Sequence, residues 1–77
     1  MLELNPRDPL DFTFALKKAI KLSGLSQEEI VTRLKKDYGV EITVSALSHS
    51  INRGAIRFQR ALQILAVCGM TEVEIKR

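Results

Sequence analysis

The sequence predicts an all-α fold, a compact bundle of four to five helices, and three observations support this prediction. Apolar residues recur at helical spacing in four successive segments, and each of the four glycines ends one of them. Both prolines lie within the first nine residues, where neither can interrupt a later helix. With 77 residues, the chain can form one small domain around a single core. We expect a flexible N-terminal arm at residues 1–8 and the domain at residues 9–77.

The first helix is predicted to begin at Asp8, a capping residue, with Pro9 at its first position, and to end at Gly24. Its inner face is expected to carry Phe12, Ala15, Leu16 and Ala19. Three lysines lie outside this face and indicate a solvated surface: Lys17, Lys18 and Lys21. Phe14 also lies off the inner face, and the sequence leaves open whether it is a dimer contact or packs against the arm.

The second helix is predicted from a capping box, in which the Ser26 hydroxyl and the Glu29 carboxylate each accept a hydrogen bond from the other residue's backbone N–H. Gly39 is expected to end this helix. Its apolar positions continue at helical spacing: Ile30, Val31, Leu34 and Tyr38. A brief extended connection at residues 40–42 should lead to the third helix.

The third and fourth helices are separated by Gly54, which is predicted to be the C-cap of the third. Thr43 is the predicted N-cap of the third helix, and Leu47 and Ile51 should face inward. The fourth helix is the most apolar and is expected at the centre of the bundle. The sequence at residues 71–74 repeats the capping-box pattern and predicts one more turn of helix.

Charge is distributed unevenly along the chain. Twelve Lys and Arg against nine Asp and Glu give a net charge of only +3, but no carboxylate occurs between Ile42 and Thr71. An ordinary exposed helix would carry both Glu and Lys. The acid-free segment therefore favours a helix that lies against a polyanion such as nucleic acid.

Composition disfavours several functional classes. Cys68 is the only cysteine, so one chain cannot form a disulfide or a cysteine-based zinc site. His49 is the only histidine, and a metal site or a catalytic dyad there would need partners that the chain does not supply. We therefore expect no enzyme activity, no cofactor, no metal site and no small-molecule substrate. The longest apolar run, about ten residues, is half of what a membrane-spanning helix needs. Because the first residues also lack the basic start of a secretory signal, we expect a cytoplasmic protein with no membrane partner.

The outward face of the third helix holds residue types that can read base edges in DNA. Helical spacing places five side chains on or beside this face: Val44, Ser45, Ser48, His49 and Asn52. Ser and Asn hydrogen-bond to bases, Asn best to adenine, and valine methyls can contact the thymine methyl. A solvated helix face is the alternative interpretation of this pattern. Further DNA contacts are expected from helix ends and arginines: Gln27, Thr43, Arg53, Arg57 and Arg60.

Three pieces of the sequence, taken in order, match a known pattern. They are the run Gly24-Leu25-Ser26-Gln27-Glu28-Glu29-Ile30, the pair in Ser45-x-Leu47-Ser48, and Arg53-Gly54. Over residues 12–69, the chain resembles the phage lambda repressor-like helix-turn-helix family. The resemblance implies two packed helices, the second of which lies in the major groove of DNA.

The chain departs from that family's pattern in the connection between the two helices. Leu34 and Thr43 lie nine positions apart, which implies a longer second helix or a lengthened turn. Val31 stands where the family usually has a small residue. The spacing from Leu47 to Gly54 is also one residue longer than usual, and in this the chain is similar to small uncharacterised bacterial domains of the same type.

These features predict sequence-specific binding of double-stranded DNA by a small bacterial or phage transcriptional regulator, whose helix at about residues 44–53 reads the major groove. The alternative is a helical protein–protein interaction module with the same fold and no DNA binding. The acid-free half of the chain favours DNA, whereas a large exposed apolar patch would favour the interaction module. The sequence leaves open whether the protein is a homodimer.

Overall fold

Four helices and two short strands form the fold in the computed structural model, which describes residues 2–5, 7, 11–54, 56–70 and 72–75. The chain order is β1 (Leu2–Leu4), α1 (Asp11–Ser23), α2 (Gln27–Tyr38), α3 (Val44–Asn52), α4 (Phe58–Val67) and β2 (Val73–Ile75). None of the helices in the described ranges is both long enough and apolar enough to cross a membrane. The predicted Asp8 cap and Pro9 lie outside the described residues.

The core is built from all four helices. Its largest fully buried side chains are Leu16 of α1, Ile30 and Leu34 of α2, Leu47 of α3, and Ile64 of α4. α2 packs against both α3 and α4, and α1 packs against α3 and α4. Because each helix contributes its apolar stripe to one cluster, the rotation of every helix about its own axis is fixed.

The start of α2 confirms the predicted capping box. The backbone N–H of Glu29 donates to the Ser26 hydroxyl oxygen at 3.1 Å, and the backbone N–H of Ser26 donates to a Glu29 carboxylate oxygen at 3.1 Å. The hydrogen bond from the Ser26 backbone N–H and, next to it, the Ser26 side chain lower the pKa of the Glu29 carboxyl, since both stabilise its charged form. At the other end, Gly39 adopts φ +66° and closes the helix, as predicted.

The start of α3 is also as predicted, but its end differs slightly. The backbone N–H of Ala46 donates to the Thr43 hydroxyl oxygen at 3.1 Å. The C-cap is Arg53, and Gly54 follows it at φ +65°. A Cβ atom at Gly54 would lie 3.1 Å from the Thr13 hydroxyl oxygen, so this turn closely approaches α1. Only glycine combines the left-handed backbone with that close approach.

The chain ends differ most from the all-α expectation. Leu2–Leu4, inside the segment expected to be a flexible arm, pairs in parallel with Val73–Ile75, and Leu2 is in register with Val73. Residues 72–75 are therefore not helical, and the prediction of a further helical turn after Thr71 is wrong. The alternation Leu-Glu-Leu and Val-Glu-Ile is typical of strands. Each run is only three residues long and needs the other as a partner, which local sequence signals do not reveal.

Candidate nucleic-acid interface

The exposed face of α3 is polar and carries neither a carboxylate nor a lysine or arginine. Burial of Leu47 and Ile51 fixes the helix so that Ser45, His49 and Asn52 are exposed. Val44 and Ser48 lie at the margin and are half-buried. From Val44 to Asn52 there is no Asp, Glu, Lys or Arg. We refer to Ser45, Ser48, His49 and Asn52 as the α3 ridge.

Two weak hydrogen bonds order the α3 ridge. The Asn52 side-chain amide donates to the Ser48 hydroxyl oxygen at 3.3 Å, and the Arg53 guanidinium lies 3.4 Å from His49 Nε2. Both pairs are one helical turn apart and exposed, and both distances are at the long end for hydrogen bonds. An asparagine amide has two N–H donors and one carbonyl acceptor, so this contact uses only part of the capacity of Asn52. The side chain can exchange it for the edge of a base.

A groove on one side of the α3 ridge contains lysines of α1, and we call it the lysine flank. It has a volume of about 210 Å³ and contains Ser48 and Asn52 of α3 together with Lys17, Lys21 and the half-buried Gln27. The sequence predicts a solvated face at Lys17 and Lys21. They are exposed, but the packing of α1 against α3 also places them beside the ridge. In the sequence, the signal for this shared position was their four-residue spacing, which puts them on one side of α1.

The opposite side of α3 carries a second groove, which we call the arginine flank. It has a volume of about 280 Å³ and is lined by Ser50, Arg57, Arg60 and two isoleucines. Arg57 is the N-cap residue of α4. The Arg60 Nε atom is buried and has no hydrogen-bond partner among the described residues. Of the three predicted phosphate contacts, the structure brings Arg57 and Arg60 together, whereas Arg53 lies beside His49 at the end of the ridge.

The basic side chains around α3 are not neutralised by described acidic groups. Within the described ranges, the salt bridge found is between Lys35 and Glu41, at 3.8 Å, and both side chains are largely exposed. It lies away from the ridge, at the connection between α2 and α3. Among the described residues, no salt bridge involves a lysine or an arginine of the two flanks.

A family profile matches this region of the chain. Residues 13–73, well over half of the sequence, match a family described as a domain of unknown function, DUF6471. The chain belongs to this family. The matched span contains the α3 ridge, both flanks and most of α1. Comparison with curated proteins finds no match, and comparison with solved structures finds none either.

The DUF6471 description assigns no function, and the resemblance to lambda repressor-like proteins stays a prediction. The structure shows how α2 and α3, the two helices on which this resemblance depends, are connected. α2 continues to Tyr38, and five residues separate it from α3. Val31, Val40, Ile42 and Ala46 line a shallow groove of about 680 Å³ beside this connection. Val31 thus lies beside the connection between α2 and α3.

The described residues give little support for metal binding or for a nucleophilic cysteine. They contain no cluster of three or more His, Cys, Asp or Glu side chains that could hold a metal ion. Cys68 is half-buried against the core, and burial raises the pKa of its thiol. A raised pKa keeps the thiol protonated near neutral pH, which suits a packing role better than a nucleophilic one.

Proposed function

We propose that this protein binds double-stranded DNA through α3 and acts as a sequence-specific transcriptional regulator. One observation supports the proposal above the others. A polar ridge without Lys, Arg, Asp or Glu is bordered by lysines on one side and by arginines on the other. The major groove of DNA complements this arrangement, because it has base edges at its floor and a phosphate backbone along each wall.

The two flanks lie on opposite sides of α3. Ser48, in the lysine flank, and Ser50, in the arginine flank, are two residues apart and so differ by about 200° around the helix. Leu47 and Ile51 occupy the buried side between them. When the α3 ridge enters a groove, the two flanks therefore face the two different backbones.

The residues in each part suit the contacts that the proposal gives them. Lysine and arginine side chains bind phosphate oxygens, arginine in a bidentate manner. Asn52 and Ser48 can hydrogen-bond to bases, and Asn52 pairs best with adenine N6 and N7. In this proposal the flanks fix the protein on the duplex, and the ridge reads the sequence.

A protein-interaction module is the second candidate, and exposed apolar side chains on α4 favour it. Phe58 is 76% exposed and Leu62 is 44% exposed. These residues belong to α4, whereas the α3 ridge carries no large apolar side chain. The α3 face therefore fits nucleic acid better, and the α4 surface is a separate feature.

The proposal is tested by titrating the protein with random duplex DNA at several salt concentrations. With about three to five phosphate contacts, the log–log slope of affinity against salt should lie near −3 to −5. The matching single strand serves as the control and should bind more weakly, because it lacks two backbones at the spacing of a groove. Absence of binding at about 50 mM salt would contradict the proposal and leave the interaction module.

A further inference from the structure

Arg53 lies apart from the other two arginines near α3. Arg57 and Arg60 line the arginine flank on one side of the helix, and Arg53 is not among the residues that line that groove. Arg53 is the C-cap of α3, and its guanidinium extends back over one helical turn to His49. The Nη1 atom lies 3.4 Å from His49 Nε2. The three arginines predicted to bind phosphate therefore occupy two different positions.

His49 lies on the side of α3 that is farthest from the core. It is two residues from each of the buried residues Leu47 and Ile51, which puts it about 160–200° from both around the helix. When the outward face of α3 enters a groove, this position comes nearest to the base edges. The contact with His49 therefore holds the Arg53 guanidinium beside the centre of the outward face rather than within the arginine flank.

The contact between the two side chains has a defined donor and acceptor. A guanidinium has N–H donors and no acceptor, so Arg53 donates and His49 Nε2 accepts. The imidazole is therefore neutral in this contact and carries its proton on Nδ1. Most N–H groups of the Arg53 guanidinium remain for a ligand, and they suffice for a two-pronged hydrogen bond.

The backbone at Arg53 is fixed by the end of α3. The N–H of Arg53 donates to the carbonyl oxygen of His49 at 3.0 Å, and the N–H of Gly54 donates to that of Ile51 at 3.1 Å. No carboxylate occurs between Ile42 and Thr71, and no salt bridge among the described residues involves Arg53. The side chain is exposed. Arg53 is thus held at its backbone and at its tip, while no acid neutralises it.

We infer that Arg53 reads a guanine in the preferred DNA sequence and that His49 positions it, an inference that rests on the proposed function. Guanine presents two acceptors, O6 and N7, in the major groove, and arginine donates to both at once. Asn52 instead offers a donor and an acceptor, which match adenine. Because Asn52 and Arg53 are adjacent, we expect the guanine within about three base pairs, roughly 10 Å, of the adenine.

Selection from random duplexes, followed by affinity measurements on the selected site, tests the role of Arg53. Replacing the guanine with 7-deazaguanine, which lacks the N7 acceptor but keeps its base pairing, should weaken wild-type binding roughly 10-fold. Arg53→Ala should bind the two duplexes equally. Arg57→Ala is the matched control, because it removes an arginine of the arginine flank. It should weaken both duplexes alike and keep the wild-type preference.

Two variants of His49 test its role as a positioning residue. His49→Ala removes the acceptor and should reduce the preference for guanine over 7-deazaguanine about threefold, because the guanidinium is no longer held in place. His49→Gln keeps an acceptor oxygen and should restore the preference. Both His49 and Arg53 are exposed, so their variants should fold like the wild type. Equal loss in the two His49 variants, or no loss in either, overturns the role of His49.

Failure of this inference is distinguishable from failure of the proposed function. A wild type that binds no duplex overturns both. Selection of a sequence without guanine overturns the inference alone, and so does a preference for guanine over 7-deazaguanine that persists in Arg53→Ala. Equal loss of that preference in Arg57→Ala would show that the two arginines act through charge alone, and would overturn the inference too.

Discussion

The two flanks of α3 carry the same sign of charge but arise in different ways. Both arginines of the arginine flank follow α3 closely in the sequence, at the N-cap and in the first turn of α4. The lysine flank combines α1 with the first residue of α2 and the far side of α3. The first is thus nearly local, whereas the second exists only after the helices have packed.

The flanks also differ in how firmly their cations are held. Arg60 is half-buried with its Nε atom enclosed, so part of its side chain is already ordered before a ligand arrives. Lys17 and Lys21 are exposed and lose more side-chain freedom on binding. If both flanks contact phosphate, the arginine flank should therefore contribute more affinity than the lysine flank.

The largest expected effect comes from removing one flank at a time. Arg57→Ala with Arg60→Ala should weaken binding to all DNA sequences by roughly 100-fold at 0.1 M salt, and should reduce the salt slope by about two. Lys17→Ala with Lys21→Ala should reduce the slope similarly but cost less affinity. Fluorescence anisotropy with random duplexes at several salt concentrations measures both quantities.

A third double variant provides the control for these measurements. Lys18→Ala with Lys36→Ala also removes two positive charges, from exposed side chains that line neither groove. Its salt slope should match that of the wild type within error. A slope that falls equally in all three double variants would show that only net charge matters, and would remove the distinction between flanks and surface.

An intermediate effect is expected from the ridge between the flanks. Asn52→Ala should cost about 1–3 kcal/mol on a preferred site selected from random duplexes, and should leave binding to unrelated DNA unchanged. Ser48→Ala should behave in the same way, though it also removes the acceptor of the Asn52 amide. Affinities for the selected and unrelated duplexes measure the difference.

Gln59→Ala is the control for the ridge variants, because it removes an exposed amide from α4 rather than from α3. This variant should leave the affinities for the selected duplex and for unrelated DNA unchanged. If Asn52→Ala and Ser48→Ala leave the sequence preference untouched, α3 is not the reading helix, and the flanks alone would account for binding.

The smallest effect is expected from the cap of α2. Ser26→Ala removes one half of the capping box and should lower the free energy of unfolding by on the order of 1 kcal/mol, measured by urea denaturation. The cap belongs to α2, whereas the α3 ridge lies on Val44–Asn52, so the sequence preference should not change. Ser45→Ala, an exposed serine that forms no cap, should melt like the wild type. A Ser26→Ala variant equal to wild type in stability would mean that the box contributes nothing in solution.

Much of the helical framework was predictable because its signals are local. The Ser26–Glu29 box, the Thr43 cap and the left-handed Gly39 each depend on residues within one turn, and all three are confirmed. The inward positions Leu47 and Ile51 follow from helical spacing and are buried as predicted. Patterns of this range are complete in the sequence itself.

The candidate site was predicted only in part. The α3 ridge and the proximity of Arg57 to Arg60 could be anticipated, because the ridge lies on one helix and the two arginines lie at the start of the next. The position of Lys17 and Lys21 beside Ser48 could not be anticipated, since it depends on how α1 packs against α3. The sequence showed three exposed lysines on α1 and gave no reason to separate Lys18 from the other two.

The sequence by itself determined the four helices and three of their caps, at Ser26, Gly39 and Thr43, because hydrogen bonds within a turn and periodic apolar residues set these features. The tertiary structure alone decided the pairing of β1 with β2 and the two-sided arrangement of cations around α3. Both join residues far apart in the chain. Their contacts form only when burial of the shared core fixes the position and rotation of each helix, and no local pattern encodes that geometry.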